Sequence, residues 1–234
     1  MKYQIIKDLK KAIVLLAVIS FVASCSMDEN FSCDRDANKW ANNNLTEIRQ
    51  MSSKDFIEIG DLVYMRAAYN VFTPDQRQSL WIEKLETVLK LDWTEKESQF
   101  IESMLEFLKA NSYFFSKDRD LKEFEKIEIE LYKFAEYARE ELKWDNKLWY
   151  RIVGTPQEIN ENKEIISKFE ISPNIKTRGE NCDCNSSIPW EPDSSGNWFL
   201  CNALFHQCDT RKECDPTSWG CGNWWWYGCN GICV

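Results

Sequence analysis

Histidine is almost missing from this chain of 234 residues, because His206 is the only one. Serine and cysteine nucleophiles need a nearby base, and many zinc sites use imidazole ligands, so a single histidine argues against both kinds of site. The chain also lacks a glycine-rich phosphate loop, an HExxH pattern, a Gly-x-Ser-x-Gly turn and an EF-hand loop. We therefore expect no enzymatic activity, no cofactor and no metal site.

Positive charge is also scarce, since 29 Lys and Arg stand against 38 Asp and Glu and the formal net charge is −9. A chain of this sign is repelled by a phosphate backbone, so we expect no nucleic-acid partner. Acidic pairs such as Glu95 and Glu97 could in principle serve a glycosidase. Such pairs are common on helix surfaces, so they do not change the expectation that the chain has no enzymatic activity.

Glycine is rare between Lys39 and Phe169, where only Gly60 and Gly154 occur, and apolar residues recur there every three or four positions. This spacing is typical of amphipathic helices. Three stretches also carry a capping box, in which Thr and a Gln or Glu three residues later accept hydrogen bonds from backbone N–H groups of the first turn. The boxes begin at Thr73, Thr94 and Thr155. Each predicts the start of a helix.

Apolar stripes follow the first two boxes, and a third stripe runs through residues 121–142. Their members are Leu80 or Trp81, Leu85, Val88 and Leu89; Ile101, Met104 or Leu105, and Leu108; and Phe124, Ile127, Leu131, Phe134 and Ala138. Such stripes usually form the core of a helical bundle. We expect a mainly α fold, with a helical domain at residues 38–169 and a small disulfide-rich, irregular or β module after it.

The N-terminus has the features of an export signal. Lysines precede an apolar run from Ala12 to Ala23, which would span about 18 Å as a helix, against about 30 Å for the hydrocarbon core of a bilayer. The run ends in Val22-Ala23-Ser24-Cys25, which resembles a bacterial lipobox. We expect residues 1–24 to be a lipoprotein signal peptide, Cys25 to be acylated and residues 25–37 to be a tether. Ser26 in place of an aspartate favours the outer membrane, and an ordinary secretory signal is the alternative.

The composition changes at residues 182–234, which hold eight of the ten cysteines and six of the eleven tryptophans. Residues 170–181 include Ser172-Pro173-Asn174 and Gly179 and predict an exposed linker to a second, independently built module. An exported chain without a Cys-x-x-Cys pattern favours disulfides over a zinc site. The cysteines expected in disulfides are Cys182, Cys184, Cys201, Cys208, Cys214, Cys221, Cys229 and Cys233. Their pairing stays open, and Cys33 is left over.

Aromatic residues are concentrated in the same module, at Trp219 and in the run Trp224-Trp225-Trp226-Tyr227. This run is too large for so small a module to bury completely. We expect these residues to be binding residues that face a membrane interface, a sugar ring or the helical domain. The alternative is that they pack against their own disulfides and the helices.

At these residues the chain resembles a known family. Gly220-Cys221-Gly222 through Cys233, preceded by Cys182-Asp183-Cys184, is similar to the bacteriocin fulvocin C-related family of cell-envelope proteins. Tyr64-Met65-Arg66-Ala67-Ala68-Tyr69 and the stretch from Phe72 to Gln76 resemble the helical region of that family. The resemblance implies a lipoprotein whose tail is similar to a small disulfide-stapled antibacterial peptide, with the helical part as carrier or pro-region.

Three functions are consistent with these observations. In the first, the tail is a bacteriocin that is displayed intact or cut near Lys176 or Arg178, and it engages a target envelope. In the second, the tail is a non-toxic surface module that binds a glycan or a protein. In the third, the tail is a structural cap of an envelope lipoprotein. In all three, the partner at the N-terminus is a lipid membrane, reached through the acylated Cys25.

Overall fold

The computed structural model describes residues 29–116, 121–166, 208–209, 217–229 and 232–233. The predicted signal peptide at residues 1–24, the lipidation site at Cys25 and the linker at residues 170–181 lie outside these ranges. So do the cleavage candidates Lys176 and Arg178. Four of the cysteines expected in disulfides also lie outside them, namely Cys182, Cys184, Cys201 and Cys214.

The fold is mainly α-helical, as predicted, and the described residues contain eight α-helices. These are α1 (Arg35–Asn43), α2 (Leu45–Ile48), α3 (Ser53–Ile59), α4 (Leu62–Val71), α5 (Pro74–Val88), α6 (Glu95–Ala110), α7 (Leu121–Glu140) and α8 (Asn146–Trp149). Single turns of 3-10 helix lie at Ser112–Phe115 and Asn223–Trp225, and a π-helical turn lies at Tyr150–Gly154. None of the helices in the described ranges is long and apolar enough to cross a membrane.

Four short strands complete the described structure, namely β1 (Cys208–Asp209), β2 (Gly220–Cys221), β3 (Tyr227–Gly228) and β4 (Ile232–Cys233). Strands β1 and β4 pair antiparallel, with Cys208 opposite Cys233. Strands β2 and β3 also pair antiparallel, with Cys221 opposite Tyr227. We call residues 29–116 and 121–166 the helical body, and residues 217–229 the tryptophan segment.

Helices α5 and α6 begin where their capping boxes predict. The side chain of Thr73 accepts a hydrogen bond from the backbone N–H of Gln76, and the side chain of Thr94 accepts one from that of Glu97. The Gln76 and Glu97 side chains accept in return from the threonine backbone N–H groups. The predicted stripes of α5, α6 and α7 also face the core, where Trp81, Leu85, Ile101, Leu108, Leu131 and Ala138 are buried.

The third box, at Thr155, does not start a helix, so this prediction is wrong. The π-helical turn ends at Gly154, and Thr155 has extended backbone angles of φ −145° and ψ 139°. Its hydroxyl accepts only from the backbone N–H of Gln157, at 3.3 Å, and its side chain is completely buried. The chain then folds back on itself through a bridge between Ile159 and Ile165. Tertiary packing thus holds Thr155 buried in an extended stretch of chain instead of at the start of a helix.

The helical body also begins earlier than predicted. Helix α1 starts at Arg35, inside the expected tether at residues 25–37, and Asp34 caps it by accepting from the backbone N–H of Ala37 at 2.7 Å. Phe31 and Ala37 are buried in the core. The apolar side chain of Phe31 therefore joins the fold before the first helical turn.

A single core holds the helical body and the tryptophan segment together. Trp219, Trp224, Trp225, Trp226 and Tyr227 belong to the same buried cluster as the helices. The prediction of an independently built module is therefore wrong for residues 217–229. A segment of this length cannot enclose four indole rings by itself, whereas the space between the helices and the Ser112–Phe115 turn can.

Candidate functional site

The candidate site is the surface of the helical body that receives the tryptophan segment. It is formed by Arg66, Tyr69 and Asn70 of α4, with Phe114, Phe124, Trp149 and Gly154 around them. We call these residues the receiving surface. Three of them come from one helix face, because residues three and four positions apart lie next to each other on a helix.

Helix α4 binds the backbone of the tryptophan segment. Arg66 Nε donates to the carbonyl of Gly220 at 3.2 Å, and Tyr69 Oη donates to the carbonyl of Trp224 at 2.9 Å. The amide of Asn70 both donates to the carbonyl of Trp219 and accepts from its N–H, each at 3.0 Å. This pair of bonds satisfies the backbone of Trp219 as a neighbouring strand would, and it does not depend on the side chain of that residue.

The indole N–H groups bind the other side of the receiving surface. Trp225 Nε1 donates to the carbonyl of Gly154 at 3.0 Å, and Trp226 Nε1 donates to the carbonyl of Phe114 at 2.8 Å. Both carbonyls belong to short helical turns, which leave backbone acceptors without intrahelical partners. In the opposite direction, Trp149 Nε1 donates to Oδ1 of Asn223 at 3.1 Å.

Aromatic rings fill the space between these bonds. The ring of Trp226 stacks on Phe114 and Phe124, with centroids 5.4 and 4.6 Å away. The ring of Trp225 meets Tyr69 edge to face at 5.3 Å. Offset and edge-to-face pairs of this kind add about 0.5 to 1.5 kcal/mol each beyond the burial of their area.

The five aromatic side chains predicted to bind a ligand are therefore buried. Trp219 is 1% exposed, Trp224 0%, Trp225 2%, Trp226 1% and Tyr227 8%. The expectation that they face a membrane or a sugar ring does not hold in this conformation. Packing against the helices, which both the expectation and its alternative included, describes them correctly, because the helical body offers both aromatic partners and acceptors for the indole N–H groups.

The backbone of the tryptophan segment is strained where the indoles turn inward. Trp224 and Trp225 both have a φ of 51°, in the left-handed region that bulky residues rarely adopt. Each such residue costs of order 1 to 3 kcal/mol and persists only when its surroundings hold it. In addition, Asn223 Nδ2 and Trp224 Nε1 are buried and have no hydrogen-bond partner in the described part of the chain. The segment is thus held in a conformation that it would not keep by itself.

A disulfide between Cys221 and Cys229 closes the loop that carries the three consecutive tryptophans. For these two residues the prediction of a disulfide is confirmed. The side chain of Cys33 packs against this disulfide from the helical body. Of Cys208 and Cys233, only the backbone pairing given above is described.

A buried arginine, which the sequence analysis did not predict to be a site residue, binds the backbone behind the receiving surface. Arg77 is 1% exposed, and its guanidinium donates to the carbonyls of Tyr69, Asn70 and Phe115 at 3.0 to 3.3 Å. Its charge also lies over the ring of Trp219, 4.5 Å from the centroid. Burial lowers the pKa of Arg77 to about 10, so it stays charged at neutral pH.

A buried lysine, also missed, holds the strand-like turn after Gly154. Lys84 is 5% exposed, and its Nζ donates to the carbonyl of Gln157. Burial lowers the pKa of Lys84 to about 7, and the nearby Glu158 opposes that shift. A signal for both residues existed in the sequence, because positions 77, 81, 84 and 88 follow the same helical stripe, on which Trp81 and Val88 are core residues.

Glu97, named above as one of an acidic pair, and Glu128 both have clear roles in the structure. Glu97 closes the capping box of α6 and accepts from Trp144 Nε1 at 2.7 Å. Glu128 accepts from Tyr227 Oη at 3.3 Å, and burial raises the pKa of Glu128 although this hydrogen bond lowers it. No group of three or more metal-ligating side chains is found within the described ranges.

Comparison with known proteins found no matching family model, no matching curated protein and no matching solved structure. The resemblance to the fulvocin C-related family consequently stays a prediction from the residues quoted above.

Proposed function

We propose that this chain is a lipid-anchored protein of the bacterial cell envelope whose helical body carries a bacteriocin-like, disulfide-stapled tail in a sequestered form. The observation that carries the proposal is the burial of Trp219, Trp224, Trp225 and Trp226 on the receiving surface. An exposed cluster of this size would bind membranes or other proteins without selection. A carrier that covers the cluster prevents this until the tail is separated.

Two features of the tryptophan segment support release over permanent burial. Trp224 and Trp225 are held in left-handed backbone conformations, and two buried donors lack partners among the described residues. Both features raise the free energy of the bound segment. Cleavage of the predicted linker, near Lys176 or Arg178, would let the segment leave this conformation and expose its indoles.

The proposal is tested by intact mass spectrometry of the membrane fraction and the culture medium of the native cells, before and after reduction. We expect a lipidated form in the membrane and a released peptide that begins near Gly179. The released peptide should inhibit related bacteria when oxidised, and the uncut protein should not. A full-length membrane form alone, together with an inactive purified tail, would contradict the proposal.

A second candidate is a resident envelope lipoprotein in which the tail is a permanent part of the fold and has no toxic role. The single shared core favours it, because the tail contributes four tryptophans to the packing of the helical body. Deleting residues 182–234 should then strongly destabilise the helices. Unchanged thermal unfolding of the truncated protein would argue against this candidate.

The remaining alternative is a surface module that binds a glycan or a protein. Titration of the intact protein with a glycan library, followed by intrinsic tryptophan fluorescence, tests it directly. Because the indoles of the tryptophan segment are buried, a response would require either movement of that segment or the residues of the tail outside the described ranges.

A further inference from the structure

We infer that the helical body is a specific receptor for the tail and binds it also when the two are no longer parts of one chain. The inference rests on the proposed function, since it concerns the fate of a released tail. Its partner is a separate polypeptide with the sequence of this chain's own C-terminus. An anchored body of this kind would retain released tail at the surface of the cell that made it.

The contacts that hold the tryptophan segment do not depend on the linker. Eight hydrogen bonds join the segment to the helical body, and their partners are between 71 and 155 residues apart in the chain. The covalent connection therefore raises only the effective concentration of the segment. After cleavage, every one of these donors and acceptors is still present on the two parts.

The receiving surface also has the composition of a selective binding site. Side chains of Arg66, Tyr69 and Asn70 bind backbone groups of the segment, which fixes the path of the chain. The carbonyls of Phe114 and Gly154 accept from two successive indoles, which favours a side chain with an N–H donor at both positions. Tryptophan, tyrosine and arginine are the residues that dominate binding energy in protein interfaces, above all where they are fully desolvated.

The receiving surface further selects a conformation. The left-handed backbone at Trp224 and Trp225 brings the carbonyl of Trp224 to the hydroxyl of Tyr69 and the indole of Trp225 to the carbonyl of Gly154. The disulfide between Cys221 and Cys229 restricts the free loop and reduces the entropy lost on binding. The fitting partner is consequently an oxidised loop with consecutive tryptophans, and an unstructured aromatic peptide does not fit.

The experiment uses the full-length lipoprotein in detergent, with a specific protease site in residues 170–181 and Cys33→Ser. Cys33 is replaced so that no disulfide can join the helical body to the tail. After cleavage, denaturing mass spectrometry without reductant verifies two separate chains. Size-exclusion chromatography then measures whether they elute together, and the rate of tail release is measured after dilution.

Two substitutions test whether retention depends on the receiving surface. Tyr69→Phe removes the donor to Trp224 from the body side, and Trp225→Phe removes the donor to Gly154 from the tail side. Each should speed release about tenfold, the factor that corresponds to about 1.4 kcal/mol for one buried hydrogen bond. The matched control is Tyr113→Phe, because Tyr113 is 42% exposed and donates only to Asn111 within the body.

Joint elution of the parent and the control, with faster release in both variants, is the expected result. Elution of the parent tail alone would overturn the inference, and so would equal release rates in the parent and the two variants. Neither result depends on toxicity. A tail that binds the body but kills no bacteria would refute the proposed function and leave the receptor in place.

Discussion

Helices α5 and α6 and the tryptophan segment acquire their conformations in opposite ways. Each helix begins at a threonine whose capping partner lies three residues along the chain, at Gln76 or Glu97. The tryptophan segment instead adopts two left-handed residues in sequence and is fixed by partners at least 71 residues away. The difference shows that the helices are specified locally, whereas the segment depends on the helical body for its shape.

The largest effect is expected from removing one indole of the tryptophan segment. Trp225→Ala eliminates the hydrogen bond to Gly154 and the packing against Tyr69 and Phe56. A buried Trp→Ala change costs about 3 to 5 kcal/mol of unfolding free energy. Denaturant unfolding followed by circular dichroism measures it. Trp93→Ala, at a partly buried indole of the helical body, is the control and should cost clearly less unfolding free energy. Equal losses in the two variants would contradict a special dependence of the tryptophan segment on its buried indoles.

The next effect concerns the covalent restraint on the tryptophan segment. Replacing Cys221 and Cys229 together by alanine opens a loop with a sequence separation of 8. The chain-entropy relation predicts a loss of about 2 to 3 kcal/mol, because the unfolded chain regains the freedom of that loop. Urea titration, which gives both the midpoint and the denaturant slope, is the measurement. An unaltered midpoint would mean that the helical body alone fixes the loop.

Asn70 offers a finer test of how the helical body imposes structure on the segment. Asn70→Ala leaves the buried N–H of Trp219 without its partner, whereas the carbonyl of Trp219 keeps the hydrogen bond from the Thr217 hydroxyl. Loss of the partner of one buried donor costs about 1 to 3 kcal/mol. Hydrogen exchange should show lost protection at the Trp219 amide and retained protection in α6. Asn111→Ala removes a bond to Phe107 at a helix end and serves as the control. Protection of Trp219 that persists in Asn70→Ala would contradict the role of this side chain.

Lys84 connects α5 to the turn after Gly154, the acceptor of Trp225, and its titration makes this link dependent on pH. The folded protein lowers the pKa of Lys84 from 10.5 to about 7, so between these values the unfolded chain holds a proton that the folded chain has released. The free energy of unfolding therefore rises with pH above about 7, by at most about 1.4 kcal/mol per pH unit, and the full cost of the buried charge applies below 7.

Unfolding titrations between pH 7 and 9 of the parent and Lys84→Met check this sign. The methionine variant should lose the slope that Lys84 contributes, because it carries no proton to release. Lys109→Met, at an exposed lysine paired with Glu86, should keep the slope of the parent. Identical slopes in the parent and Lys84→Met would show that Lys84 stays protonated throughout this range.

The smallest effect on stability is expected at the helix starts, which are specified by neighbouring residues in the sequence. Thr94→Ala removes the hydroxyl that accepts from the N–H of Glu97 and should cost about 1 kcal/mol. Thr87→Ala, at an exposed position inside α5, should be neutral or slightly stabilising, because alanine has the higher helix propensity. Thermal unfolding of both variants measures the difference. Effects of equal sign and size would contradict local control of the helix start.

Two closely similar sequence patterns gave one correct and one wrong prediction. Thr73 and Thr155 are each followed by Pro and then by a residue with a suitable side chain three positions along, but only Thr73 caps a helix. Thr155 is completely buried, and the carbonyl of Gln157 is taken by Lys84. A capping box shows which hydrogen bonds the first turn of a helix could gain. It contains no information on which distant residues pack against the same stretch of chain.

The candidate site shows the same limit. The composition predicted that the tryptophans matter and that Cys221 and Cys229 form disulfides. It did not predict that these two cysteines pair with each other, or which surface Trp225 and Trp226 face. Arg66, Tyr69 and Asn70 could not be recognised at all, because their role exists only when α4 lies against a segment about 150 residues further along the chain. Nothing in the local sequence of α4 marks those positions as binding residues.

The sequence by itself determined where α5 and α6 begin, which faces of the helices are apolar, and that the C-terminus is rich in cysteine and tryptophan. These properties depend on neighbours a few residues away. Only the tertiary structure decided that the tryptophans turn inward, that Arg77 and Lys84 are buried, and that Thr155 caps nothing. The physical reason is that burial and the pairing of buried polar groups depend on contacts between segments far apart in the chain. One indole or one carbonyl has many possible partners in the sequence, and only the folded geometry selects among them.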